Sequence, residues 1–168
     1  VMGFGELVLV APRWANVLRR EETIQRASGA LDVLRDARIV DTLDDALEGL
    51  SHLCATAMVP RDFGPPTVSP REHLGALARQ SPAPLGVGFL FGSERFGMKN
   101  DDVYRCHAAL SIPTNPQFGS LNLASAVQVV AYEWRLALGG FEVQDPRPVT
   151  ELADAKAVAG LLSHWEQS

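Results

Sequence analysis

Between Phe89 and Arg135 the chain reads FLFGSERFGMKNDDVYRCHAALSIPTNPQFGSLNLASAVQVVAYEWR, and this stretch decides the fold. It opens inside an unbroken apolar run, Leu85 to Phe91, of the kind buried on both faces of a parallel sheet. It closes in a long helical segment, Ser120 to Leu138. There Val127, Val130, Ala131, Trp134 and Leu138 mark one face, while Leu121, Leu123, Ala126 and Val129 load others. A helix so apolar is covered on more than one side, by its own domain or by a second subunit. Three polar loops lie between strand and helix: Phe91 to Met98, Ser111 to Pro116, and Gly119 to Ala124. In open α/β sheets, loops at the C-terminal ends of adjacent strands are where ligands bind.

Upstream, short apolar runs alternate with amphipathic stretches. Strands are expected at Glu6 to Val10, Ala37 to Val40 and His52 to Ala57, and one more at Ala108 to Ile112. Helices are expected at Glu21 to Ala30, at Leu43 to Leu50 behind a Thr42 cap, and at Pro70 to Arg79 with proline in an allowed first position. Residues 59–70 hold Pro60, Gly64, Pro65, Pro66 and Pro70 and read as a loop. Downstream, Gly139-Gly140 stop the long helix, residues 141–149 form a linker, and Thr150 to Trp165 form a final amphipathic helix. This alternation predicts an α/β domain around a mostly parallel sheet flanked by helices, over residues 1–140, with residues 141–168 as linker and terminal helix.

The 168 residues, 46% of them apolar and 21% charged, suffice for one domain with a proper core. No apolar run approaches the roughly 20 residues of a membrane span. A net charge of −5 excludes a global basic field that would draw in nucleic acid. Residues 1–40 carry six Arg against five acids, so no basic patch stands out there. Cys54 and Cys106 stand far apart, outside any CxxC pattern, which argues against a disulfide scaffold or a zinc site and fits a reducing cytoplasm. His52, His73, His107 and His164 form no ligand pair at helical spacing. The abrupt start at Val1, almost directly on a strand, suggests an N-terminal piece outside this sequence.

Familiar catalytic patterns are absent: there is no GxSxG, HExxH or GxxxxGK[ST]. Gly86, Gly88 and Gly92 imitate a dinucleotide fingerprint, but they sit inside a strand at the wrong spacing. On spacing alone, Glu94, Ser120 and Asn122 read either as substrate-facing groups or as a turn carboxylate, a helix cap and a first-turn amide.

Taken together, Gly92-Ser93-Glu94-Arg95-Phe96-Gly97, Ile112-Pro113-Thr114 and Ser120-Leu121-Asn122 with Ala126 resemble two motifs of the SpoU branch of the SPOUT RNA methyltransferases. The nearest group is that of the tRNA 2′-O-methyltransferases J, which methylate cytidine or uridine at anticodon-loop position 32. Cys106-His107, Thr114-Asn115-Pro116, Val127-Gln128-Val129, Tyr132-Glu133 and His164-Trp165-Glu166-Gln167 point to it. The likeness spans essentially the whole chain and is strongest from Phe89 to Arg135.

The resemblance implies a C-terminal trefoil knot, a homodimer, S-adenosyl-L-methionine as cofactor, an RNA substrate such as tRNA, and no metal. By position, the cofactor touches Thr56, Ala57, Met58, Gly92, Ile112, Gly119, Ser120 and Leu121. Glu94, Ser120 and Asn122 are the expected catalytic residues, and Arg61 the expected RNA contact. A further Arg and Asn of the family's first motif would precede Val1. This chain departs mildly from the family at Ala57, where a small polar residue is usual, and at Met98, where leucine is usual. On these grounds the expected activity is ribose methylation of tRNA. The alternative is a knotted RNA-binding or regulatory dimer that no longer transfers methyl groups.

Overall fold

In the computed structural model, residues 1–57 and 59–142 are described, with Lys156, Ala159 and Trp165. Most of the expected linker and the expected terminal helix fall outside the described residues. All paired strands among the described residues are parallel. A small two-stranded sheet joins β1 (Val8–Val10) to β2 (Arg38–Val40). The connection between them carries α1 (Glu21–Ala27) and α2 (Leu31–Asp36), and α3 (Leu43–Ala46) follows β2. Thr42 caps α3 with a reciprocal box: its hydroxyl accepts the Asp45 N–H, and the Asp45 carboxylate accepts the Thr42 N–H.

The main sheet has four strands: β3 (His52–Thr56), β4 (Thr67–Val68), β5 (Val87–Leu90) and β6 (Ala108–Leu110). Their spatial order is β4-β6-β3-β5. Central β3 pairs Cys54 with Phe89 of β5 on one side and with Ala108 of β6 on the other. The strands that flank β3, β5 and β6, run parallel to it on opposite sides, so the loops after all three gather at the sheet's carboxyl edge, where open α/β sheets hold ligands.

Two helices cover one face of this sheet. α4 (Pro70–Ala78) starts behind a Ser69 cap, and α6 (Leu123–Ala137) packs along it. Cys54, Leu74, Leu77, Ala108, Leu110, Val130 and Trp134 form the shared core, with Phe89 edge-on to Trp134. A smaller core on the opposite face joins Leu53, Ala55, Val103 and Cys106, where α5 (Asn100–Tyr104) lies. No described helix is long and apolar enough to cross a membrane.

Several boundaries differ from expectation for local reasons. The long helix begins at Leu123 rather than Ser120, because Asn122 supplies the cap. The helix after Thr42 ends at Ala46, and Gly49 follows at φ +79°. The proline-rich segment contains β4, which borders β6. The short helices α2 and α5 were not anticipated. On α6 the core takes Val130 and Trp134, while Val127, Leu136 and Leu138 remain 40–49% exposed.

Candidate functional site

The sheet's carboxyl edge opens into a cavity of about 970 Å³, within the usual range for small-molecule sites. Its floor is Thr56 and Ala57 after β3, Phe91 and Gly92 after β5, and Leu110 to Ile112 at the end of β6. One wall is the entry to α6, from Gly119 to Leu123, with Ala126 behind it. The three loops singled out in the sequence thus face one space.

Each loop is braced by its own chemistry. Gly92 sits so close to the returning backbone that a Cβ there would stand 2.3 Å from the Gly97 carbonyl carbon. Ser93 and Gly97 exchange hydrogen bonds of 3.1 and 2.8 Å across that turn, and Gly97 takes φ +65°. Thr114 Oγ1 donates to the Gly119 carbonyl at 3.0 Å, which locks the second loop to the third. Thr56 Oγ1 donates to the Leu90 carbonyl at 3.1 Å, which ties β3 to β5 just below the cavity. Asn122 Oδ1 accepts the Ser125 N–H at 2.8 Å, so α6 starts with its first turn aimed at this space.

Against these braces stand unspent polar groups. Among the described residues, the backbone N–H groups of Gly92, Ile112, Ser120 and Leu121 donate to no protein acceptor. Backbone donors left free on a cavity wall must be met by water or by a ligand. Glu94 is exposed on the rim, as are Ser120 and Asn122. Arg61 is half-buried in the wall: its guanidinium donates to Asn100 Oδ1 and, at 3.2 Å, to the Met98 carbonyl. Among the described residues no carboxylate pairs with Arg61, so its charge meets only neutral acceptors.

Every anticipated site residue within the described chain lines this cavity: Thr56, Ala57, Arg61, Gly92, Glu94, Ile112, Gly119, Ser120, Leu121 and Asn122. Met58 lies outside the described residues. Sequence reasoning missed Asn100, which holds Arg61, and left unread the hydroxyl of Thr114. Asn100 carried no signal, since it opens α5, a short helix without counterpart in the sequence reading. Thr114 belongs to a polar loop and to the motif fragments read from the sequence, but neither gives its hydroxyl a role.

Sequence reasoning also missed a second cluster, at the other end of β3. His52 Nε2 and His73 Nε2 lie 3.1 Å apart, and the His52 ring stacks on His107 with centroids 4.7 Å apart. Burial chiefly, with the neighbouring rings, holds the His52 imidazole below its ordinary pKa; burial does the same for His73. Burial pushes the Cys54 thiol, on the same strand face, up to about 12.

Parallel strands that deliver glycine turns and free backbone donors to one crevice define a fold of the open α/β class, in which such a crevice is where ligands bind. A family model described as the SpoU rRNA Methylase family matches residues 1–132, and the chain belongs to that family. It is 42% identical over 152 residues to a tRNA (cytidine/uridine-2′-O-)-methyltransferase TrmJ of Cronobacter sakazakii, covering 89% of this chain and 60% of that protein. Identity to the enzyme of the same name from Klebsiella pneumoniae is 44% over 172 residues, covering 99% of this chain and 68% of that protein. The crystal structure of TrmJ from Z. mobilis ZM4 superposes with a TM-score of 0.71 at 34% identity, over 99% of this chain and 68% of that one. The chain spans about half to two thirds of the length of the curated relatives it matches.

Proposed function

We propose that this chain is the methyl-transfer domain of an S-adenosyl-L-methionine-dependent tRNA 2′-O-methyltransferase acting on a pyrimidine ribose of the anticodon loop, at position 32. The observation that carries this reading is the convergence of three loops on one cavity whose walls keep free backbone donors. Relatives named for cytidine/uridine 2′-O-methylation of tRNA support the substrate class.

The cavity suits such a cofactor on its own chemistry. Apolar Phe91, Leu110, Ile112 and Leu123 offer a surface for a flat base, and the free N–H groups of Gly92, Ile112, Ser120 and Leu121 match acceptor atoms. Thr56, Ala57, Met58, Gly92, Ile112, Gly119, Ser120 and Leu121 would hold it. When bound, S-adenosyl-L-methionine supplies an electrophilic sulfonium methyl. The protein's part is to position the ribose hydroxyl and to ease departure of its proton. Glu94, Ser120 and Asn122 orient that hydroxyl, and Glu94 is the group able to accept its proton. Arg61, whose charge no described acid neutralises, takes a phosphate of the RNA.

The family's trefoil knot and homodimer belong to the same proposal, over residues 1–140. A dimer gives Val127, Leu136 and Leu138 a cover that the single chain lacks. The cytoplasm, where tRNA is modified, is the matching compartment.

The decisive experiment is mass spectrometry of tRNA from cells with and without the gene. Loss of one ribose methyl at position 32, restored by the gene, is the expected result. Unchanged methylation together with saturable S-adenosyl-L-methionine binding would favour a binding dimer that no longer transfers methyl groups. Absence of both would end the proposal.

A further inference from the structure

We propose that His52, Cys54 and His73 form a site for a divalent transition-metal ion, with zinc the best chemical match, at the end of β3 remote from the cavity. Imidazole nitrogen and thiolate sulfur are the donors that zinc selects. The fold brings one donor atom from each residue within 4.8 Å of the other two.

The geometry suits coordination. Two imidazole nitrogens on one tetrahedral zinc, each at about 2.0–2.1 Å, stand roughly 3.3 Å apart. The Nε2 atoms of His52 and His73 stand 3.1 Å apart already. An N···S edge of the same tetrahedron is roughly 3.6 Å, a contraction that rotation about the side-chain bonds of Cys54 and His73 can supply.

The donors sit on rigid elements. His52 and Cys54 are two residues apart on β3, so they share one face of the sheet. His73 lies in the first turn and a half of α4, whose start is held by the Ser69 cap and Pro70. His107 stacks on the His52 ring and spends its Nδ1 as acceptor of the Leu53 N–H at 3.1 Å, which leaves it a neighbour that orients His52. With three protein donors and two half-buried imidazoles, the fourth position goes to water.

Binding displaces the Cys54 thiol proton to solvent, and one imidazole moves its proton from Nε2 to Nδ1 so that both Nε2 lone pairs face the ion. The result is a clasp between the central strand and α4. It takes no part in methyl transfer, whose cavity lies beyond the opposite end of β3.

The test uses the purified protein, stripped with a chelator and titrated with zinc chloride and separately with cobalt chloride. One equivalent of zinc is expected to bind, and the cobalt form is expected to show a thiolate-to-metal charge-transfer band with tetrahedral visible absorption. H52Q and H73Q, checked for folding by circular dichroism, should each weaken zinc binding by more than about 100-fold, beyond the 10–100-fold typical of losing an outer partner. C54A should remove the charge-transfer band. If C54A does not fold, C54S takes its place, since a serine hydroxyl gives no thiolate band. Failure to bind one equivalent, a cobalt complex without the thiolate band, or undiminished affinity in H73Q would overturn the site and leave a hydrogen-bonded histidine pair.

Discussion

The side-chain oxygen of Asn122 accepts the backbone N–H of Ser125 at 2.8 Å, and the same residue faces the cavity. One oxygen therefore opens helix α6 while the amide nitrogen remains for the site. The two duties separate by substitution. Asn122→Asp keeps the capping oxygen and places negative charge at a helix N-terminus, where it is favoured. Its melting temperature should match the parent's, while methyl transfer falls about 100-fold, as when one positioned donor is lost. Asn122→Ala should lose the same activity and also about 1 kcal/mol of stability, the usual worth of a cap. Denaturant melts and single-turnover methylation on one tRNA read both. Full activity in Asn122→Asp would remove the amide from the mechanism.

Gly92 and Gly97 face each other across a tight turn, yet their tolerance to change should be opposite. A Cβ at Gly92 would lie 2.3 Å from the Gly97 carbonyl carbon and 2.6 Å from the Met98 nitrogen, both of them backbone. Only movement of the loop relieves this, so Gly92→Ala should cost 1–3 kcal/mol, roughly the range for overpacking, and should abolish S-adenosyl-L-methionine binding. At Gly97 the space is open and only the positive φ constrains choice. Asparagine tolerates that conformation, so Gly97→Asn should retain most binding. Calorimetric titration of both variants checks the contrast.

The contrast between what the chain announces and what it conceals follows from how far apart the cooperating residues lie. The run from Leu85 to Phe91 and the Thr42 box with Asp45 are local signals, and each has its counterpart in β5 and α3. Strand β4 has no such signal. Thr67 and Val68 are extended because the carbonyls of Pro66 and Val68 accept from Ala109 and Ser111, more than 40 residues on. At the start of α6, Ser120 and Asn122 are both good caps by type. The fold takes Asn122, and residues 119–121 stay outside the helix as lining of the cavity. The histidine cluster illustrates the limit. His52 and His73 are 21 positions apart and meet only because α4 folds back over β3. No spacing rule on one helix or one loop anticipates them.

Arg71 of α4 grips Glu133 of α6 with two hydrogen bonds, 3.1 and 2.8 Å. The partners are unequal: the Arg71 side chain is 75% exposed and the Glu133 side chain 13%. Removing the arginine strands a carboxylate that water reaches poorly. Removing the carboxylate leaves a guanidinium that is hydrated at once. Arg71→Ala should therefore lower the melting temperature more than Glu133→Gln, although both delete the same ion pair. Thermal denaturation of the two single variants and the double variant gives the answer. The double variant should resemble Glu133→Gln alone, since its orphaned carboxylate is gone. Equal losses in the two single variants would show that Glu133 is solvated without Arg71.

Cys106 closes the core beneath α5, and burial first, then the nearby Asp102, pushes its thiol up to about 11. At pH 8 that leaves roughly one molecule in a thousand as thiolate, while an unfolded cysteine near 8.5–9 is ionised to roughly 9–24%. Cys54 is held higher still, at about 12. Both thiols of the metal-free protein should therefore react with an aromatic disulfide reagent at the rate of chain opening, and rapidly once denaturant is added. The sign of the pH dependence follows. A thiol whose folded pKa exceeds its unfolded value stabilises the fold fully below the unfolded value. That contribution fades as pH rises from about 9 toward 11, because the unfolded chain loses its protons first. A Cys106→Ala variant lacks this loss at its own position. Its melting temperature should decline less steeply than the parent's between pH 9 and 11, whatever its value at pH 7. Parallel slopes for parent and variant, or fast labelling of native Cys106 at pH 8, would show that solvent reaches the thiol in the folded chain.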